Sequence, residues 1–217
     1  GLFPALTNSE PGDARVAVGP AIRANLAEGH KTGMYLDQQS NYAEVGALAK
    51  GAQEVLDCFS FAGGFALHAA QSGAKRVHAL DQSADAVATA QRNASENGLS
   101  DRVEFETANV FDWLKARTAV GPNEKVIPRY DLIILDPPSF TRNRASVPDA
   151  LRGYKEIHLR ALRLLKPGGL LSTFCCSHHV DRVLFEDVIL AAAIDSRTIL
   201  RRVASHSQSP DHPVVPS

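Results

Sequence analysis

Val55-Leu56-Asp57-Cys58-Phe59-Ser60-Phe61-Ala62-Gly63-Gly64-Phe65 decides the fold. A short apolar strand runs into a loop with two glycines, and a helical pattern follows. That is the point where an open parallel sheet turns backbone N–H groups toward a ligand. The spacing departs from the G-x-G-x-x-G of dinucleotide sites, and the strand ends in an acid. A cationic sulfonium cofactor is therefore a better guest than a pyrophosphate.

Outward from this stretch, short apolar segments alternate with longer helical ones, the pattern of a mostly parallel α/β sheet. Strands are predicted at 55–57, 76–80, 103–107, 131–135 and 170–174. Helices are predicted at 66–71, 84–97, 149–165 and 183–195, where apolar residues recur at helical spacing. Residues 121–129, with two prolines, read as a loop. Residues 1–30 read as a lead-in segment in which 15–26 can form a hairpin, and 31–217 as the main domain. Residues 205–217 carry three prolines and no strand pattern, so the sheet is expected to lack a terminal strand and the chain to be a fragment.

The composition sets bounds on function. The 217 residues, 44% of them apolar, suffice for one α/β domain. A formal charge of −1 argues against nucleic-acid binding through bulk positive charge, so any RNA contact must be local. There is no apolar run long enough to span a membrane and no secretory leader pattern, which makes the cytoplasm the expected location. Cys58, Cys175 and Cys176 are odd in number and two are adjacent, so reduced thiols are expected in place of a disulfide framework.

The remaining strand ends carry the chemistry. Asp81 closes the second strand, where a carboxylate accepts ribose hydroxyls, with Gln82 beside it. Asn109-Val110 ends the third, where a polar side chain can read adenine; a surface asparagine in a turn is the alternative. Asp136-Pro137-Pro138-Ser139-Phe140 follows a buried fourth strand, and two prolines stiffen an acceptor loop suited to the edge of a nucleobase. The fifth strand leads into Cys175-Cys176, whose side chains should point to opposite sides, so at most one thiol faces the pocket. Arg142, Arg144, Arg152, Lys155, Arg160 and Arg163 can hold phosphates or form a solvated helix face.

These pieces together resemble the large-subunit ribosomal RNA 5-methylcytosine methyltransferases. Members of that family carry a PUA domain before a class I, S-adenosylmethionine-dependent catalytic domain. The matching stretches are Gly29-His30-Lys31-Thr32-Gly33-Met34-Tyr35-Leu36-Asp37-Gln38, the 56–65 and 136–140 segments, Arg152-Gly153-Tyr154-Lys155, Thr173-Phe174-Cys175-Cys176-Ser177 and Asp211-His212-Pro213-Val214. Gln39 and Ser40 stand where the family has arginine and aspartate, and Asn109 where aspartate is frequent.

The resemblance implies a Rossmann-like fold, the catalytic domain alone, and S-adenosylmethionine held by Tyr35, Gln38, Asp57, Ser60, Phe61, Gly63, Gly64, Asp81, Gln82, Asn109 and Val110. It further implies Cys176 as the nucleophile on cytosine carbon 6 and Asp136 on the N3 and amino edge, with Pro137, Pro138, Arg152 and Lys155 toward the RNA. Ser139, His178, His179 or water is left as the general base. Methylation of another position, such as guanine N7, and cofactor or RNA binding without turnover are the competing readings. A nicotinamide dehydrogenase explains neither the Asp-Pro-Pro loop nor the paired thiols. Metal is not required, and the oligomeric state is left open.

Overall fold

A computed structural model describes residues 13–16, 19–25, 38–121 and 124–205. An N-terminal hairpin pairs β1 (Asp13–Val16) antiparallel to β2 (Ile22–Asn25), close to the hairpin expected over 15–26. Five parallel strands follow: β3 (Glu54–Cys58), β4 (Arg76–Asp81), β5 (Val103–Thr107), β6 (Tyr130–Leu135) and β7 (Leu165–Thr173), in the order β5-β4-β3-β6-β7. The chain builds outward from β3 through β4 to β5, then crosses to the other side of β3 for β6 and β7. Strand order therefore reverses between β3 and β6, and the carboxyl ends there form the crevice in which open α/β sheets bind ligands.

Both sheet faces are covered, which explains why every residue of β3 is buried and why β6 carries the continuous apolar run Leu132–Leu135. On one face Leu56, Leu80, Ile133 and Leu135 pack under α4 (Val110–Thr118), α5 (Val147–Leu164) and α6 (Arg182–Ser196). On the other, Val55, Val77, Ala79, Leu132 and Ile134 pack under α1 (Gln39–Leu48), α2 (Gly64–Gln71) and α3 (Ala84–Glu96).

All five predicted strands are present, with one shifted. β7 starts at Leu165, five residues before the expected 170, and ends at Thr173. It bends at Pro167-Gly168-Gly169, where the pairing steps from Tyr130↔Leu165 to Leu132↔Leu170. α1 and α4 are helices that the periodicity did not reveal. α1 buries only Asn41, Tyr42, Val45 and Gly46. α4 is nine residues long, and its start is set by Asn109, whose side-chain oxygen accepts from the N–H groups of Phe111 and Asp112 at 3.0 and 3.3 Å.

The hairpin is tied to the sheet domain through α3. Asn93 and Asn97, one helical turn apart, act as surrogate peptide groups along the free edge of β2. Their side-chain oxygens accept from Arg23 N–H and Ala21 N–H at 2.9 and 2.8 Å. Their amide nitrogens donate to the Arg23 and Ala21 carbonyls at 3.3 and 2.7 Å. Asn93 also donates to the Ala62 carbonyl at 3.0 Å, so one fully buried side chain fixes the hairpin and the glycine loop together. No helix of the described residues is long and apolar enough to cross a membrane.

Candidate active site

The loop after β3 is held in an unusual backbone conformation. Phe59 (φ 66°), Phe61 (φ 47°) and Gly63 (φ 88°) are left-handed, and two such non-glycine residues within three positions cost on the order of 1–3 kcal/mol each. What sustains the loop is its anchoring. Ser60 N–H donates to the Leu80 carbonyl at 2.9 Å, and Gly63 N–H to the Ser60 carbonyl at 2.8 Å. Asp81 at the end of β4 takes Phe61 N–H on one carboxylate oxygen and Ser83 N–H on the other, both at 2.9 Å. The carboxylate retains acceptor capacity toward a ligand, because each oxygen has two lone pairs.

Gly64 is required by its neighbour: a Cβ there would lie 2.5 Å from Cζ of Tyr42. Behind the loop, Asp57 is wholly buried, with Oδ2 accepting from Ala66 N–H at 2.9 Å in the first turn of α2. Its Oδ1 and the Ser60 hydroxyl are buried without a hydrogen-bond partner. Burial, then the charge of Asp136, pushes the Asp57 carboxyl well above its ordinary range; the Ala66 bond opposes this and Asp81 adds a smaller push upward.

A cradle with the Asp81 and Asp136 carboxylates, the buried Asp57 carboxyl and two unsatisfied buried oxygens disfavours an anionic pyrophosphate and suits a ligand that is cationic and rich in donors. S-adenosylmethionine, with its sulfonium, ammonium and ribose hydroxyls, fits that donor set. The other expected cofactor residues divide. Gln82 is exposed just past the end of β4, Val110 is 2% exposed within the core, and Asn109 is occupied as the cap of α4. Tyr35 lies outside the described residues, as do the rest of 29–37 and the 211–214 piece.

Asp136 leaves β6 beside this cradle. Gln38, expected on the cofactor, instead has its amide nitrogen 3.1 and 3.2 Å from the two Asp136 oxygens, and its own oxygen accepts from Asn41 at 2.6 Å. The start of α1 thus orients the Asp136 carboxylate, an arrangement no spacing in the sequence signals. Pro137 is buried and Pro138 exposed.

The thiols separate as expected, although the segment holding them lies just past the end of β7. Cys176 is exposed, and its sulfur donates to the Pro137 carbonyl at 3.5 Å, one residue from Asp136. Cys175 is half-buried and donates to the Tyr154 hydroxyl at 3.5 Å. Cys58 is fully buried; desolvation, reinforced by Asp57, pushes its thiol well up, which makes it inert. Beneath the segment, His158 of α5 is fully buried between the Tyr154 carbonyl (2.6 Å from Nδ1) and the Thr173 hydroxyl (2.8 Å from Nε2). A carbonyl only accepts, so Nδ1 carries the proton and Nε2 accepts from Thr173. Burial lowers the imidazole to about 4, and it stays neutral.

The basic residues also sort themselves. Arg152 pairs with Asp149, Lys155 with Asp195 at 2.8 Å, and Arg160 with Glu156 at 2.6 Å. Arg142 and Arg144, exposed just beyond the Asp-Pro-Pro loop, form no ion pair among the described residues. The described residues contain no group of three or more His, Cys, Asp or Glu side chains arranged to hold a metal ion.

Residues 8–216 match the family described as S-adenosylmethionine-dependent methyltransferase. The ribosomal RNA large subunit methyltransferase I of Shewanella denitrificans is 40% identical over 197 residues, 90% of this chain and 48% of that protein. The protein of the same name from Vibrio parahaemolyticus is 40% identical over 198 residues, with the same shares. The chain spans about half the length of the curated relatives it matches. Among solved structures, a methyltransferase complexed with SAH aligns with a TM-score of 0.68 at 24% identity, covering 85% of this chain and 47% of the other. A SAM-dependent methyltransferase from Agrobacterium tumefaciens aligns with a TM-score of 0.67 at 17% identity, covering 86% and 60%. These two alignments concern the fold, whereas the family rests on the match across nearly the whole chain: the protein belongs to the S-adenosylmethionine-dependent methyltransferases.

Proposed function

We propose that the chain methylates carbon 5 of a cytosine in large-subunit ribosomal RNA through a covalent cysteine adduct. The observation that carries this reading is the exposed Cys176 thiol set against the carbonyl of Pro137, beside a carboxylate that Gln38 holds in place. Methylation of an exocyclic or ring nitrogen needs no thiol at this edge, whereas carbon 5 of cytosine is a poor nucleophile until carbon 6 is attacked. The names of the relatives supply the RNA.

Bound at the β3–β4 edge, the cofactor supplies an electrophilic methyl group. The protein's residues do the rest. Cys176, as thiolate, forms a bond to carbon 6 and drives electron density onto carbon 5. Asp136 faces the N3 and amino edge and, as the carboxylic acid, donates its proton to N3 while the thiolate adds, so that a neutral enamine forms; the proton returns to it when the carbon–sulfur bond breaks. After carbon 5 is methylated, its proton leaves to a base and the carbon–sulfur bond breaks, which restores the ring. Ser139 is a poor candidate for that base, because its oxygen already accepts from Thr141 N–H at 3.4 Å and from the Ser177 hydroxyl at 3.1 Å. His178, His179 and water remain. Arg142 and Arg144 are better placed for phosphates than Arg152 and Lys155, whose charges are met by acids. The target base must swing out of its stack, at a cost of a few kcal/mol.

The test is incubation of the chain with methyl-labelled S-adenosylmethionine and unmodified large-subunit ribosomal RNA, followed by nucleoside mass spectrometry. The expected product is 5-methylcytidine. A labelled guanosine would transfer the assignment to a nitrogen target, and cofactor binding by calorimetry without any labelled nucleoside would mark a binding module.

A further inference from the structure

One cluster behind the thiols is not used by the chemistry above. The Ser177 hydroxyl, in a side chain 4% exposed, lies 2.8 Å from the Tyr154 hydroxyl, 3.1 Å from the Ser139 hydroxyl and 3.2 Å from Phe140 N–H. The direction of every bond follows from the acceptor at one end. Ser139 must donate to the Thr141 carbonyl, so its oxygen receives the Ser177 proton. Ser177 then has no proton for Tyr154, so Tyr154 donates to Ser177, whose second lone pair is taken by Phe140 N–H. The Tyr154 oxygen in turn accepts from Cys175. The result is a one-way chain: Cys175 S–H to Tyr154 O–H to Ser177 O–H to Ser139 O–H to the Thr141 carbonyl. Each hydroxyl in it both donates and accepts.

This chain joins three parts of the molecule: the thiol segment after β7, the Asp-Pro-Pro loop after β6, and α5. Tyr154 is itself fully buried against Phe140 and Phe185, with ring centroids 4.6 and 5.3 Å away, so the hydroxyl that starts the relay cannot wander. We infer that Tyr154 and Ser177 are positioning residues: their hydrogen-bond chain locks the thiol segment onto the Asp-Pro-Pro loop, holds Cys175 half-buried against Tyr154, and thereby leaves Cys176 as the exposed thiol. The inference rests on the reading of Cys176 as the nucleophile but makes a claim of its own, that thiol selectivity is built by neighbours that touch no substrate.

The test reads selectivity without RNA. The full chain is treated with iodoacetamide over a range of pH, and the alkylation rate of each cysteine is followed by peptide mass spectrometry in the native protein and in Tyr154→Phe and Ser177→Ala. Tyr154→Phe keeps the ring in its packing and deletes only the link; S-adenosylmethionine binding by calorimetry checks that each variant is folded. In the native protein Cys176 should react about tenfold or more faster than Cys175, as the exposure of one thiol and the half-burial of the other dictate. In either variant that ratio should fall severalfold as Cys175 becomes reactive, with turnover in the methyl-transfer assay falling and the KM for RNA holding. An unchanged ratio in both folded variants overturns the inference. A ratio that shifts while the native protein forms no 5-methylcytidine leaves the positioning chain standing and refutes the cytosine reading instead.

Discussion

His158 makes folding stability respond to pH in a defined direction and window. Its imidazole is buried and neutral, lowered to about 4 from the usual 6.5. On unfolding it regains the ordinary value, so the unfolded state binds the extra proton. The stabilisation is thus complete above the unfolded pKa and is lost as pH falls from about 6.5 toward about 4. Linkage between those two values gives a loss of about 2 kcal/mol between pH 7.5 and pH 5, rising to about 3 kcal/mol by pH 4. Asp57, raised in the folded state, acts in the opposite sense as pH falls, so the two must be separated. Urea unfolding of the native protein and of His158→Gln at both pH values does so. Asp57 is common to both proteins, and the packing cost of the substitution does not depend on pH. The stability advantage of the native protein over His158→Gln should shrink by about 2 kcal/mol at pH 5. A pH-independent difference would mean that His158 is not held neutral between Tyr154 and Thr173.

Two further outcomes follow from the cradle. Asp81→Ala should weaken S-adenosylmethionine binding by about 1–3 kcal/mol, measured by calorimetry, because it removes a charged acceptor and also releases Phe61 N–H and Ser83 N–H; unchanged affinity would remove Asp81 from the site. Gly64→Ala places a methyl against the Tyr42 ring and should destabilise the fold by about 1–3 kcal/mol in chemical unfolding, whereas native-like stability would show that the α1–α2 contact yields.

The sheet was legible because β3 and β6 are buried on both faces, and a strand so placed needs a short continuous apolar run such as Leu132-Ile133-Ile134-Leu135. α4 was hidden because Asn109 reads as a polar strand end or a surface asparagine in a turn, whereas the structure uses it as the cap of a short helix. β7 was placed late because Pro167-Gly168-Gly169 reads as a turn, whereas at a sheet edge such residues are accommodated by a step in register. In the site, the two thiols take different partners as expected, but not through strand alternation, because both lie past the end of β7. The engagement of Gln38 with Asp136 was not legible, because 98 residues separate them and only the fold brings α1 to the end of β6. On α5 the structure pairs Arg152, Lys155 and Arg160 with Asp149, Asp195 and Glu156, contacts that composition alone could not show.

The central claim is that Cys176 attacks carbon 6 of a cytosine, and it can be trapped. RNA carrying 5-fluorocytidine at the target allows thiol addition and methyl transfer, but the fluorine cannot leave as the proton would, so the adduct persists. The native protein and Cys175→Ser, given this RNA and S-adenosylmethionine, should each yield a denaturation-resistant protein–RNA complex with the nucleotide on the peptide that contains Cys176, while Cys176→Ser should yield none and still bind the cofactor. A complex that survives in Cys176→Ser, or one that is lost in Cys175→Ser, would contradict the account.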